Sequence, residues 1–110
     1  MNIIELRTAL GRVVPEYLID KNVHNVSHWV SKIFYAPEQV YSTTDPKDMK
    51  MLMKLSELEI VALTEGGTCN ARLTKSGEEL FKDFEKKGFY GSETVKRFFD
   101  IVKKNNQPRS

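Results

Sequence analysis

The chain has 110 residues, 40% of them hydrophobic and 29% charged, with 17 Lys and Arg against 15 Asp and Glu and a single cysteine. That is the length of one domain, with apolar content enough for one modest core, which excludes a disordered chain, a histone-like polycation and a disulfide-stapled scaffold. No apolar run approaches the ~18–20 residues of a membrane span, and the N-terminus lacks a basic region followed by an apolar stretch, so a cytoplasmic location without membrane contact is expected.

In chain order, Ile3, Leu6, Leu10, Val13 and Val14 recur at spacings of three and four, the stripe of an amphipathic helix. Pro15 either kinks that helix or opens a new turn carrying Tyr17 and Leu18, and Asp20-Lys21-Asn22 breaks the pattern. A second helix is expected from Asn25 or Ser27, with Val26, Trp29, Val30, Ile33 and Phe34 on one face, closed by Ala36-Pro37. Residues 36–44 read as a loop or extended stretch, rich in β-branched and hydroxyl side chains. A third helix begins at Asp45: its carboxylate suits an N-cap, Pro46 suits the first helical position, and Asp48 places negative charge in the first turn.

Helical spacing runs to about Leu58. Then Ile60 to Thr64 reads as a strand, Glu65-Gly66-Gly67-Thr68 as a tight turn and Asn70 to Thr74 as a returning strand. Thr74 or Ser76 caps a fourth helix, Ser76 and Glu79 standing at capping-box spacing, with Leu80, Phe81 and Phe84 as its buried stripe up to Gly88. Ser92 caps a fifth helix, 92–104, carrying Val95, Phe98, Phe99 and Val102 on one side, and residues 105–110 form a frayed tail. The prediction is a single α+β, mostly helical domain over 1–104.

Three helices, a hairpin over 60–74 and further C-terminal helices follow the element order of a winged helix-turn-helix domain. The residues add to that order: Leu52, Leu55, Leu58, Ile60 and Val61, then Leu63-Thr64, then Ala71-Arg72-Leu73-Thr74-Lys75-Ser76-Gly77. Residues 45–84 resemble the stretch of MarR-like and PadR-like regulators in which a leucine-rich recognition helix runs into a wing and then into Leu-Thr-x-x-Gly. The resemblance implies a small transcriptional regulator of a prokaryote or its virus that binds duplex DNA; no nucleophile–base pair, glycine-rich phosphate loop or carboxylate dyad stands at usable spacing, so neither catalysis nor a cofactor is expected. It departs from the family at the wing tip, where MarR-like wings carry an arginine and Glu65-Gly66-Gly67 stands here.

Helical geometry places Lys47, Lys50 and Lys54 on one side of the third helix and Met49, Leu52 and Met53 on the other, leaving Met51 and Leu58 facing solvent. Lysines in such a row can bind phosphates or guanine edges, and an exposed methionine can touch a thymine methyl. The candidate DNA contacts are therefore Lys47, Lys50, Met51 and Lys54, with Arg72, Lys75 and the Gly66-Gly67 turn at the backbone. Asp45, Asp48, Glu57 and Glu59 outweigh the three lysines, and the positive excess lies in residues 89–110, with five basic and two acidic side chains. A weakly charged reading head favours a homodimer, with Val95, Phe98, Phe99 and Val102 as its interface. The alternative is a winged protein-interaction module that uses Met51, Leu58 and the fifth-helix phenylalanines and binds no DNA.

His24 and His28 stand four apart, a zinc-like spacing, but no third ligand accompanies them and ordinary surface histidines are expected. Cys69 reads as a half-buried filler beside the turn. Asn25-Val26-Ser27 matches a glycosylation sequon that a cytoplasmic chain does not use.

Overall fold

The structure, a computed structural model, describes residues 1–64 and 68–88. Helix α1 (Ile3–Gly11) is followed by a single 3-10 turn (Glu16–Leu18), helix α2 (Ile19–Phe34), a second 3-10 turn (Pro37–Gln39), strand β1 (Val40–Thr43), helix α3 (Pro46–Glu57), strands β2 (Val61–Thr64) and β3 (Cys69–Leu73), and helix α4 (Lys75–Lys86). The strands form one antiparallel sheet in the order β1-β3-β2, giving an α+β fold with the hairpin directly behind a helix. The Gly66-Gly67 turn, the expected helix 92–104 and the 105–110 tail lie outside the described residues. Among those described, no helix is long and apolar enough to cross a membrane.

Pro15 starts a new turn, as one of the two alternatives had it, and that turn feeds α2 without a break. The helix therefore begins at Ile19, six or more residues before the expected start. Asp20, Lys21 and Asn22 do not interrupt it because they lie away from the core: Asp20 pairs with Arg7 at 2.5 Å, and the Asn22 amide donates to the Leu18 carbonyl at 2.8 Å. Val23, Val26, Val30 and Ile33 run at three- and four-residue spacing down the buried face. In α1, Ile3, Leu6 and Leu10 are buried as expected, whereas Val13 is 71% exposed because the helix has already ended at Gly11.

The stretch 36–44 contains a strand. β1 pairs with β3 from Val40 opposite Arg72 to Thr43 opposite Cys69, so the sheet has three strands where the sequence suggested a hairpin alone. Two hydroxyls tie β1 to the next helix. Tyr41 Oη and Thr43 Oγ1 both donate to the Asp48 carboxylate, at 3.1 and 2.9 Å, and the Asp45 N–H donates to Thr43 Oγ1. β1 also means that residues 35–45 separate α2 from α3. The described helices thus include no tight helix-turn-helix at that place, where the element order had suggested one.

The core lies where α1, α2, α3 and α4 meet the inner face of the sheet, with Leu6, Ile33, Leu52, Leu55, Phe81 and Phe84 among its fully enclosed side chains. Each such side chain contributes roughly 1.5–3 kcal/mol through burial. Phe34 stacks on Phe81 with centroids 4.1 Å apart and planes 17° from parallel, joining the end of α2 to α4. Lys32 extends its ammonium over both Trp29 and Tyr41, 4.8 and 4.9 Å from the ring centroids, and so closes the α2–β1 edge.

Candidate nucleic-acid interface

α3 starts where the sequence places it. Asp45 caps it by accepting from the Lys47 N–H at 2.9 Å, with Pro46 in the first turn. Its end is fixed by a junction built from the Leu73-Thr74-Lys75-Ser76-Gly77 stretch. Thr74 Oγ1 donates to the carbonyls of Glu59 and Ile60 at 2.5 and 3.1 Å, the Thr74 N–H donates to the Ile60 carbonyl at 3.0 Å, and Thr74 Oγ1 accepts from the Gly77 N–H. Thr74 is therefore the cap of α4, and Ser76 lies inside the helix. Gly77 is needed because a Cβ there would lie 2.1 Å from the Ile60 carbonyl oxygen. Glu59, at φ 61°, makes the sharp turn between α3 and β2.

With α3 held at both ends, Lys47, Lys50 and Lys54 project into solvent, and none of them enters an ion pair among the described residues. The three lysines share the exposed side of the helix. Their apolar companions are different from those expected. Leu52 and Leu55 are buried, and Met51 and Leu58 pack half-buried against the core, so the exposed apolar side chains of α3 are Met49 and Met53, at 37% and 59% exposure. The buried stripe follows 51-52-55-58, because Leu55 and the run into Ile60 draw the helix round, while methionine suits either face. Met51 is thus turned partly into the core instead of facing solvent, and Met49 and Met53 stand exposed beside the lysines.

Lys75 is exposed at the start of α4, next to the Thr74 hydroxyl that grips Glu59 and Ile60, and so stands near the C-terminal end of α3. Arg72 does not join that row. It lies opposite Val40 on one side and Ala62 on the other, on the face of the sheet turned away from buried Val61, Cys69 and Ala71. α3 packs against β2, and its Leu52 and Leu55 meet Val61 in the core, which places α3 on the inner side of the sheet and Arg72 on the outer side. The proposed contacts thus divide into two surfaces. Strand alternation in 70–74 would have shown this had the register been known.

Gly66 and Gly67, and the proposed interface residues Val95, Phe98, Phe99 and Val102, lie outside the described residues. Cys69 is buried, at 5% exposure, rather than half-buried. His24 and His28 are exposed along α2, and among the described residues no three His, Cys, Asp or Glu side chains converge on a point. Partial burial against Trp29, then the Lys32 and His24 charges, hold the His28 pKa below its ordinary value. Comparison with protein-family models, with curated proteins and with solved structures gives no match.

Proposed function

We propose that the chain is a DNA-binding protein of winged-helix type, a small transcriptional regulator, with α3 as the reading element and the β2–β3 hairpin as wing. The observation that carries this reading is the exposed row of Lys47, Lys50 and Lys54, without an ion pair among the described residues, on the solvent face of a helix that is capped at its start, locked at its end and followed immediately by a hairpin. Three ammonium groups and Lys75 would bind phosphates, with Met49 and Met53 available for thymine methyls. Pairing of two copies through the 92–104 segment would supply a second reading helix and offset the small charge of one.

The test is duplex-binding anisotropy across a salt series. Four phosphate contacts per copy give a slope of log K on log salt near −3.6, and Lys50→Glu with Lys54→Glu should reduce its magnitude by about 2. Curves that do not depend on salt, or that the double substitution leaves unchanged, would sink the reading. A second reading, a protein-interaction module, is favoured by the exposed Met49 and Met53 pair. Loss of partner capture on Met49→Lys with Met53→Lys, in a protein that shows no duplex binding, would establish it.

A further inference from the structure

We propose that the outer face of the sheet is a binding site for a small phosphate-bearing molecule, held by Arg72 and Asn70. This face is distinct from the lysine row and does not rest on the DNA reading. A shallow groove of about 640 Å³ runs over it, within the range of small-molecule sites, between the Pro37–Gln39 turn and the far edge of the hairpin.

Three side chains lining the groove can donate to a ligand: Arg72, Asn70 and Thr64. Arg72 enters no ion pair among the described residues, and its cross-strand neighbours Val40 and Ala62 are uncharged and cannot compete for the guanidinium. Two residues earlier on the same face, Asn70 has its amide oriented. Ser42 Oγ donates to Asn70 Oδ1 at 2.6 Å, which leaves the Asn70 NH₂ as a donor, roughly 7 Å along the strand from the start of the Arg72 side chain. The Thr64 hydroxyl lies across from Asn70 on β2. Guanidinium, amide and hydroxyl are thus three donors carried by separate side chains on one face of the sheet. That arrangement suits a tetrahedral oxyanion, whereas a planar carboxylate would be saturated by the arginine fork alone.

The wall of the groove is also held in an unusual shape: Glu38 and Gln39 are consecutive non-glycine residues in the left-handed region, at φ 58° and 59°. Among the described residues Glu38 is the one carboxylate lining the groove, and it is solvent-exposed at the rim, where salt screens its repulsion.

The experiment is a ¹⁵N–¹H NMR titration of the full chain with inorganic phosphate and with glycerol 3-phosphate at constant ionic strength, with sodium acetate as the carboxylate comparison. The expected result is saturable shifts of amides in 40–42, 62–64 and 70–72 by the phosphates, with a dissociation constant below about 1 mM. Arg72→Gln should weaken binding at least about tenfold and Asn70→Ala about threefold, while Lys50→Glu with Lys54→Glu leaves it unchanged. Arg72 is exposed, so its variant should keep the native spectrum elsewhere. Absence of saturation, shifts centred on α3, insensitivity to Arg72→Gln, or equal binding of acetate would each overturn the proposal. An oligonucleotide whose affinity falls more with Arg72→Gln than with the α3 double substitution would assign the face to a nucleic-acid backbone and overturn it equally.

Discussion

Replacing Gly77 by alanine adds one carbon atom, and its position can be stated: 2.1 Å from the Ile60 carbonyl oxygen and 3.2 Å from the Ile60 carbonyl carbon, with Leu73 Cδ2 at 3.3 Å. The first two are backbone atoms and cannot rotate away. The Ile60 oxygen already accepts from the Thr74 N–H and hydroxyl, so the start of α4 must retreat by about an ångström and weaken those bonds as it goes. Forced overpacking costs about 1–3 kcal/mol and a weakened cap about 1 kcal/mol, while alanine's helix preference over glycine returns up to about 1 kcal/mol. The net expectation is a loss of about 2 kcal/mol, or a fall in Tm of roughly 8–10 °C for a chain of this size, read by calorimetry or by circular dichroism. Gly88→Ala is the control. Gly88 has φ +64° and nothing within 4 Å of an added Cβ, so it bears a torsional cost of about 1–2 kcal/mol alone. A Gly77→Ala protein that melts with or above the wild type would refute the junction as described.

Asp48→Ala should cost about 2 kcal/mol, since it leaves the Tyr41 and Thr43 hydroxyls without their shared acceptor, and Thr43 is itself buried. Hydrogen exchange should show the Val40–Thr43 amides losing protection before the rest of the sheet; uniform loss would contradict the local tie. For His28, a folded pKa below the ordinary 6.5 means that the unfolded chain binds more protons in that window. Stability is then fully present above about pH 6.5 and declines as pH falls through the depressed value. His28→Gln should flatten the pH dependence of Tm between about pH 5 and 7, and an unchanged profile would remove His28 as its source.

The elements legible in the sequence are those whose signals are local. Asp45-Pro46 announces a helix start from two adjacent residues, Leu80, Phe81 and Phe84 mark one face of one helix, and the paired strands Val61–Thr64 and Cys69–Leu73 lie close together in sequence. β1 was hidden because its partner is far along the chain: Thr43 pairs with Cys69, and no feature of 40–43 alone separates a paired strand from a loop. The start of α2 was hidden because polar residues on the solvent side of a helix look like a break until the buried Val23 is known to continue the stripe. Methionines at 49, 51 and 53 fit either face of α3, so grouping Met49 and Met53 with Leu52 set the rotation wrongly; packing through Leu55 and Leu58 turns Met51 inward and Met49 and Met53 outward.

The Leu-Thr-x-x-Gly stretch that underlies the resemblance to winged-helix regulators has a complete structural explanation in this chain. Thr74 caps α4 and holds the Glu59 and Ile60 carbonyls, and Gly77 permits the contact. Any protein that turns a helix into a hairpin and back into a helix at this distance has the same need, whatever it binds. The motif therefore informs the junction between α3, β2 and α4, and the functional weight passes to side chains that the junction leaves free. Those are the lysines of α3 on the inner side of the sheet and Arg72 on the outer side. One straight duplex laid along α3 cannot also cover the outer face, since the sheet stands between them. Charge reversal on α3 and neutralisation of Arg72 should accordingly affect different ligands, and a single ligand lost equally through both would require the two surfaces to be one.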